Sequence, residues 1–286
     1  MLHGIDISKW QMGINLANIK ADFTIVKATE GTSYVDPYCD RFFQETLRLN
    51  RLVGFYHFAR PYNKPEAEAE FFFKNTMGYF GKGIPVLDWE KERIQDVAWA
   101  KAWLDRIYKL SGVRPLIYMS RSVANDYDWT EVAKDYGLWI ARYRDNKKDY
   151  NYDMSNAGDK PTSKFWKVIA LWQWTSCGRL DGYSGDLDCD VFYGDKETWL
   201  KYVQPDISAI KDIEIMTEQV SKEEQVEIKR QQETAPKKSK QVYTVRKGDT
   251  LNFIARKFNV SVSELAAKNK ITNKNLIRIG QKLEIC

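Results

Sequence analysis

Eight short apolar segments recur in the first 202 residues, and they constrain the fold more than any other feature. The segments are HGIDIS, FTIVKAT, RLVGFYHFA, IPVLDWE, RPLIYMS, LWIARY, VIALWQWT and LDCDVF. Between several of them lie segments with helical periodicity, so strands and helices alternate. This pattern predicts an α/β fold, a (β/α) barrel of TIM type, with functional groups at the C-terminal ends of its strands. The later strands lie close together, which predicts an abbreviated second half.

Composition changes sharply beyond residue 202. Residues 203–241 contain no aromatic side chain but many charged ones, which is typical of a linker. Residues 242–286 carry a net charge of +6, whereas the remainder of the chain sums to −1. We therefore predict a barrel domain at 1–202, a charged linker at 203–241 and a small basic domain at 242–286. A basic domain favours either nucleic acid or an anionic cell envelope as its partner.

Several classes of protein are disfavoured. No apolar run is long enough to span a membrane, and the N-terminus MLHGIDISKW lacks the features of a signal peptide. We therefore expect synthesis in the cytoplasm, no export signal and no membrane insertion. Four cysteines without CxxC spacing argue against a disulfide scaffold. The chain has only two histidines, which disfavours a histidine-rich metal site and a Ser-His-Asp triad. We expect neither a metal nor a cofactor.

Acidic residues interrupt three of the apolar segments. These acids are Asp6, then Asp88 and Glu90, and finally Asp188 and Asp190. Side chains two residues apart on a strand share a face, so Asp88 and Glu90 point one way and Trp89 the other. Closure of a barrel makes its first and last strands neighbours, which places Asp6 beside Asp188 and opposite the fourth strand. A cluster of carboxyl groups at the barrel mouth is therefore predicted.

Clustered carboxyl groups suit glycoside hydrolysis, which needs one protonated acid and one ionised acid. Crowding raises the pKa of one member, and we expect that member to be Glu90 while the other acids stay ionised. Aromatic residues near the strand ends, which suit stacking on sugars, are Trp10, Tyr34, Tyr56, Tyr118 and Trp172. Two alternatives remain open: a divalent metal site for phosphodiester chemistry, disfavoured by the lack of a glycine-rich phosphate loop, and a glycan-binding protein with an inactive barrel.

The motifs GIDIS, GFYHFA, PVLDWE and LDCDVF, in this order and spacing, resemble the family 25 glycoside hydrolases across residues 1–202. These are lysozymes of the muramidase type made by phages and bacteria. The resemblance implies cleavage of the β-1,4 bond between N-acetylmuramic acid and N-acetylglucosamine in peptidoglycan. It also implies that Glu90 donates the proton, that Asp6, Asp88 and Asp188 are ionised, and that Tyr56 orients the substrate.

One position departs from the family pattern. The family more often has Asn where this chain has Asp190. We include Asp190 among the candidate substrate-binding residues, but of Asp188 and Asp190 we expect Asp188 to face the substrate. Two mechanisms remain open: attack by a carboxylate nucleophile of the enzyme and attack by the 2-acetamido group of the substrate. We favour the second route, with Asp188 or Asp88 orienting the acetamido group.

The basic segment 242–286 is predicted to form a strand, two helices and a second strand, an α+β unit. SVSE at residues 261–264 is a capping box for the second helix. YTVRKGDTL and NLIRIGQKL resemble the LysM module, which implies binding to glycans that contain N-acetylglucosamine. The groove implied for this module is lined by Gly248, Asp249, Thr250, Leu251, Asn275, Leu276 and Ile277.

Together these features predict a peptidoglycan hydrolase anchored to the cell wall, with peptidoglycan strands and not nucleic acid as its partner. We expect a phage endolysin that stays in the host cytoplasm until a separate holin-type pore gives it access to the wall. A bacterial autolysin with the same activity is the alternative.

Overall fold

A computed structural model describes residues 1–91, 93–206, 241–246, 248–273 and 276–285. Two compact units are distinguished, one containing residues 1–206 and the other residues 241–285. The predicted linker falls mainly at 207–240, outside the described residues.

The helices and strands of the described residues are as follows. The strands are β1 (Leu2–Ile7), β2 (Phe23–Glu30), β3 (Tyr34–Val35), β4 (Leu52–Phe58), β5 (Gly83–Asp88), β6 (Leu116–Ser120), β7 (Gly137–Ala141), β8 (Asp149–Tyr150), β9 (Leu171–Arg179), β10 (Leu187–Phe192), β11 (Val242–Thr244) and β12 (Lys282–Glu284). The α-helices are α1 (Cys39–Arg48), α2 (Pro65–Thr76), α3 (Val97–Ser111), α4 (Val123–Asp126), α5 (Thr130–Ala133), α6 (Lys196–Val203), α7 (Leu251–Lys257) and α8 (Val262–Lys268). Short 3-10 helices lie at Lys9–Gln11, Leu16–Asn18, Met77–Tyr79 and Met154–Asn156.

Eight of the strands close into a barrel, in the order β1, β10, β9, β7, β6, β5, β4, β2 and back to β1. They coincide with the eight apolar segments of the sequence, so the predicted barrel is confirmed. Helices α1, α2 and α3 have 10, 12 and 15 residues, whereas α4 and α5 have only four each. The predicted abbreviation of the second half is therefore also confirmed.

Strand β10 departs from a regular barrel because it runs antiparallel to both of its neighbours, β1 and β9. Asp188 was expected at the end of the last strand, but it is the second of the six residues of β10. The reversed direction brings the beginning of β10 to the mouth, where the other barrel strands end. In the resulting register Asp6 lies opposite Asp188, as predicted.

Apolar side chains fill the end of the barrel opposite the mouth. Phe23, at the start of β2, and Phe192, at the end of β10, both pack on Trp199 of α6, with ring centroids 4.8 and 5.0 Å apart. All three rings are fully buried, so α6 covers this end of the barrel.

The second unit has the predicted order of a strand, two helices and a strand. β11 and β12 pair antiparallel, with Tyr243 opposite Leu283. Ser261 and Glu264 form the predicted capping box at the start of α8, each side chain bonding the backbone N–H of the other. The core of this unit consists of Val245, Leu251, Ile254, Ala255, Leu265, Ala266, Leu283 and Ile285.

Within the part of the chain that the structure describes, none of the helices is both long enough and apolar enough to cross a membrane.

Candidate active site

The barrel mouth contains a cavity of about 270 Å³, which we call the acid pocket. Its lining residues are Asp6, Ser8, Trp10, Lys27, Tyr56, Phe58, Asp88, Glu90, Tyr118, Trp139, Tyr143, Gln173 and Asp188. All four acids that the sequence analysis proposed as catalytic therefore border one space.

The strand geometry explains how Asp88 and Glu90 come to share this pocket. Trp89 points away from it, is fully buried, and stacks on Trp99 at 5.2 Å between ring centroids. Its indole N–H donates to the backbone carbonyl of Ile94 at 3.0 Å. Because Trp89 is held in the outer layer, the alternation of side chains turns both carboxyl groups inward.

Gln173 of β9 connects three side chains of the pocket. Its Oε1 accepts hydrogen bonds from the hydroxyl groups of Tyr118, at 2.6 Å, and Tyr143. Its Nε2 donates to Oδ2 of Asp6 at 2.5 Å. Gln173 is buried, so this bond fixes the orientation of the Asp6 carboxyl group in a site with little competing water. The sequence analysis missed Gln173 because a single glutamine within an apolar strand carries no distinctive pattern.

Asp190 was expected to contact substrate, but it does not line the pocket. It is fully buried, and its Oδ1 accepts a hydrogen bond from the indole N–H of Trp139 at 2.9 Å. Between the two aspartates of β10, only Asp188 reaches the cavity, because it lies nearer the mouth.

Burial raises the pKa of every carboxyl group in this cluster. For Asp6 the second cause is the charge of Asp188, and for Asp88 it is the charge of Glu90. Burial and the Glu90 charge raise the pKa of Asp188 to about 6. The pKa of Glu90 is also raised, in the direction expected from the sequence, but the cause is burial and not the expected crowding by neighbouring carboxylates, even though the residue is solvent-exposed at the mouth.

The raised pKa values extend beyond Glu90, which the sequence analysis did not anticipate. It expected the aspartates to stay ionised, but burial raises the pKa of Asp6 and Asp88 well above that of an ordinary aspartate. The deeper position of these two acids is the physical reason, since desolvation penalises the charged form. The cluster therefore shares protons among several members.

Lys27 is the only cation among the described side chains that line the acid pocket. Its ammonium group forms an ion pair with Glu30 at 2.6 Å, and Glu30 also pairs with Arg60 at 2.7 Å. The Lys27 charge lowers the pKa of Asp88 and Glu90, against the larger effect of burial. Lys27 thus favours the ionised form of the acids opposite it, a role that sequence reasoning missed.

The sequence of the barrel can now be compared with those of known proteins. Residues 5–183 match the family described as Glycosyl hydrolases family 25. The chain belongs to this family. Residues 243–285 match the LysM domain. The protein is therefore a glycoside hydrolase, a peptidoglycan hydrolase of the muramidase type with a LysM module.

Individual relatives agree with this assignment. The chain is 34% identical over 141 residues to an N,O-diacetylmuramidase of Chalaropsis sp, covering 42% of this chain and 67% of that protein. It is 30% identical over 217 residues to the uncharacterized protein YegX of Escherichia coli O157:H7, covering 71% and 73%. The crystal structure of the bacterial lysozyme from Streptomyces coelicolor superposes with a TM-score of 0.62 at 26% identity, covering 71% of this chain and 96% of that one.

Within this family 25 barrel, the predicted sugar-contacting aromatic residues divide into two groups. Tyr56, Tyr118 and Trp10 line the acid pocket, and Trp10 is 76% exposed at its rim. Trp172 and Tyr34 do not line it.

The placement of Trp172 and Tyr34 corrects the expectation for both. The side chain of Trp172 lies on the face of β9 opposite to that of Gln173. Its indole N–H donates to the backbone carbonyl of Arg142 within the outer apolar layer. Tyr34 is partly exposed outside the pocket lining, with its ring 5.6 Å from the ammonium group of Lys27. Strand β9 is buried on both faces, so its sequence did not reveal which of its side chains point inward.

A second cavity, of about 1090 Å³, adjoins the acid pocket, and we call it the outer groove. It shares Glu90, Tyr118 and Tyr143 with the pocket. Apart from Ala141, the rest of its lining is polar. It comes from the end of β6 and the following loop and α4, from the end of β7 and the following loop, and from residues 162–164. Glu90 therefore lies where the pocket and the groove meet.

In the LysM domain, the predicted glycan-binding residues have different environments. Leu251 is 2% exposed in the core, so its side chain is not available to a ligand. Asp249 accepts hydrogen bonds from the backbone N–H of Arg246 and the hydroxyl of Tyr243, and Thr250 caps α7. Both side chains therefore build the turn that contains Gly248, whose φ is 93°.

The second predicted loop is more accessible. Leu276 is 64% exposed and Ile277 is half-buried against the core, whereas Asn275 lies outside the described residues. Leu276 borders a cavity of about 600 Å³ whose described lining extends from Asn269 to Gln281. The loop with Gly248 does not line this cavity, so the described residues do not join the two predicted loops in one groove.

Proposed function

We propose that the acid pocket cleaves the β-1,4 bond between N-acetylmuramic acid and N-acetylglucosamine. The observation that carries this proposal is the convergence of Asp6, Asp88, Glu90 and Asp188 on one cavity of about 270 Å³. Glycoside hydrolysis requires a protonated acid beside an ionised one, and burial raises the pKa of Glu90 and of Asp188, which favours the protonated form of an acid in this cluster.

Glu90 is the proton donor in this proposal. It is exposed, its pKa is raised, and it borders both cavities. A muramic acid residue in the acid pocket and the departing N-acetylglucosamine in the outer groove would place the bridging oxygen beside Glu90. The size of the groove suits a continuing glycan strand.

Asp188 is the ionised partner that we favour. With a pKa of about 6, it is mostly charged at neutral pH, and it reaches the cavity from the strand opposite Glu90. A charged Asp188 can orient the 2-acetamido group and stabilise the positive charge that it acquires during attack on the anomeric carbon. Asp6 and Asp88 then contribute to the electrostatic potential of the pocket. Tyr56 and Tyr118 contact the sugar.

Mass spectrometry of digested peptidoglycan tests the cleaved bond. The muramidase should create new reducing ends on muramic acid, and Glu90→Gln should abolish them. New reducing ends on glucosamine would contradict the proposal. Glu131→Gln, an exposed change on α5, serves as the matched control and should leave the products unchanged.

The stereochemistry of methanolysis tests the mechanism separately. Attack by the acetamido group followed by attack of methanol should give methyl glycosides with retained anomeric configuration. Inverted products would exclude both this route and a carboxylate nucleophile.

We further propose that the chain is organised as a barrel at 1–202, a linker at 203–241 and a LysM domain at 242–286 that anchors the enzyme to the wall. Tethering raises the local concentration of a catalyst at an insoluble substrate. The positive charge of residues 242–286 supports attraction to anionic wall polymers.

The biological role that we propose is host lysis by a phage, in which a holin-type pore releases the enzyme from the host cytoplasm to the wall. The combination of catalyst and anchor supports a wall-lysing role. Expression of the full chain in a bacterial cytoplasm tests the dependence on a pore. Cells should stay intact until the membrane is permeabilised and then lyse rapidly. Lysis without permeabilisation would favour the exported autolysin instead.

A further inference from the structure

Asp190 is a buried acid that the proposed mechanism does not use. It lies on β10 opposite Gly4 of β1 and Gln173 of β9, and none of its surface is exposed. Such a group costs free energy when it is charged unless cations or hydrogen-bond donors surround it. Its surroundings therefore reveal its protonation state.

The two oxygens of Asp190 have unequal partners. Oδ1 accepts the hydrogen bond from Trp139, whereas Oδ2 has no N–H or hydroxyl donor within the described residues. The ionisable groups that act on Asp190 or feel its charge are the carboxyls of Asp6 and Asp188, the hydroxyls of Tyr143 and Tyr152, and the thiol of Cys189. None of these is a cation.

Asp6 is nevertheless the diagonal neighbour of Asp190 on the same face of the sheet, because β1 pairs Gly4 with Asp190 and Asp6 with Asp188, and Gly4 has no side chain to separate the two carboxyl groups. Two neighbouring carboxyl groups can form a hydrogen bond only if one of them carries a proton. Asp6 already accepts the N–H of Gln173 and borders the open pocket, and both features favour its charged form. Asp190 has neither the second donor nor the access to solvent.

We infer that Asp190 is a positioning residue that holds a proton on Oδ2 and donates it to Asp6. Asp6 is then held from two sides, by the amide of Gln173 and by the acid of Asp190. Burial, with the charges of Asp6 and Asp188, raises the pKa of Asp190, which agrees with this assignment. Only the part of the inference that concerns activity rests on the proposed function.

Thermal unfolding of Asp190→Asn between pH 4 and pH 8 tests the proton directly. An acid whose pKa is raised in the folded state loses stabilising effect as the pH rises above its unfolded value, and an amide does not titrate. The melting temperature of Asp190→Asn relative to wild type should therefore increase by about 3 °C or more across this range. A relative decrease would overturn the inference.

Asp195→Asn is the matched control because Asp195 is an exposed acid whose pKa is lowered by hydrogen bonds from Thr198. Its stabilising effect is already present above the unfolded pKa of about 4, so the melting temperature of Asp195→Asn relative to wild type should not increase between pH 4 and pH 8. Infrared difference spectra at pH 7 give an independent readout that needs no substrate. Wild type should show a protonated carboxyl band that Asp190→Asn lacks, and its absence from wild type would contradict the inference.

Activity completes the test. Asp190→Ala removes the donor and should reduce kcat about tenfold or more, while Asp190→Asn restores a donor and should recover most of the loss. Equal losses in the two variants would exclude the positioning role. If the unfolding and infrared results hold but no variant shows muramidase activity, the proposed function fails and the protonation state stands.

Discussion

The barrel and the LysM domain bury different kinds of side chain. All the buried polar and charged residues in the described part of the chain belong to the barrel, including Asp6, Asp88 and Asp190. The buried residues of the LysM domain are apolar throughout, and its polar groups lie at the surface.

This difference reflects what each unit can support. A buried carboxyl group must be compensated by many surrounding contacts, and only the barrel, with two extensive apolar layers, provides them. The core of the LysM domain is too small to provide such contacts. Acid chemistry therefore belongs to the large unit, and recognition at an exposed surface suffices for the small one.

The largest expected effect separates catalysis from binding. Glu90→Gln removes the transferable proton, and we expect the rate of wall lysis to fall about 10³-fold. Binding to insoluble walls, measured by co-sedimentation, should not change because the LysM surface is untouched. A variant that lysed walls at even a tenth of the wild-type rate would show that Glu90 is not the donor.

Removal of the LysM domain gives the converse separation. A chain that ends before Val242 should bind insoluble walls about 100-fold more weakly because it loses the anchor. Turnover of soluble glycan fragments should stay within twofold of the full chain. Equal losses on soluble and insoluble substrates would show that the two units do not divide these tasks.

The dependence on pH should also differ between the two regions. Because the pKa of Asp188 is about 6 and its charged form is the active one, kcat should halve near pH 6 as the pH falls. In the LysM domain, hydrogen bonds lower the pKa of Asp249, so we expect Asp249 to stay charged between pH 5 and pH 8. Wall binding should therefore stay constant over that interval, and a parallel loss of binding and activity would contradict the comparison.

The smallest effects concern two leucines of the LysM domain. Leu251→Ala empties a core position and should destabilise that unit by about 3 kcal/mol in thermal unfolding. Leu276→Ala changes an exposed side chain and should alter stability by less than about 0.5 kcal/mol. Wall binding by Leu276→Ala should nevertheless weaken a few-fold, and unchanged binding would remove Leu276 from the glycan surface.

The fold was predictable because all eight barrel strands are clear apolar segments, and ring closure follows from their number. The direction of β10 was not, because alternation reveals the faces of a strand and not its direction. The same limit explains the misplacement of Trp172 on a strand that is buried on both sides. Gln173 and Lys27 were not predicted because Gln173 bonds Asp6 and Lys27 acts on Asp88 and Glu90, which all lie in distant parts of the chain.

In the LysM domain, sequence identified the elements but did not separate core residues from surface residues. Leu251 and Leu276 are both leucines beside a turn, yet one is buried and the other exposed. Only the packing of α7 against the rest of the unit decides between them.

The pairing of β1 with β10 has a consequence for how the enzyme is made. Asp6 is synthesised about 180 residues before its partner Asp188. The acid cluster includes residues from both of these strands, so a chain synthesised only in part lacks one side of its active site. Wall-degrading activity therefore arises only when nearly the whole barrel has been translated and closed.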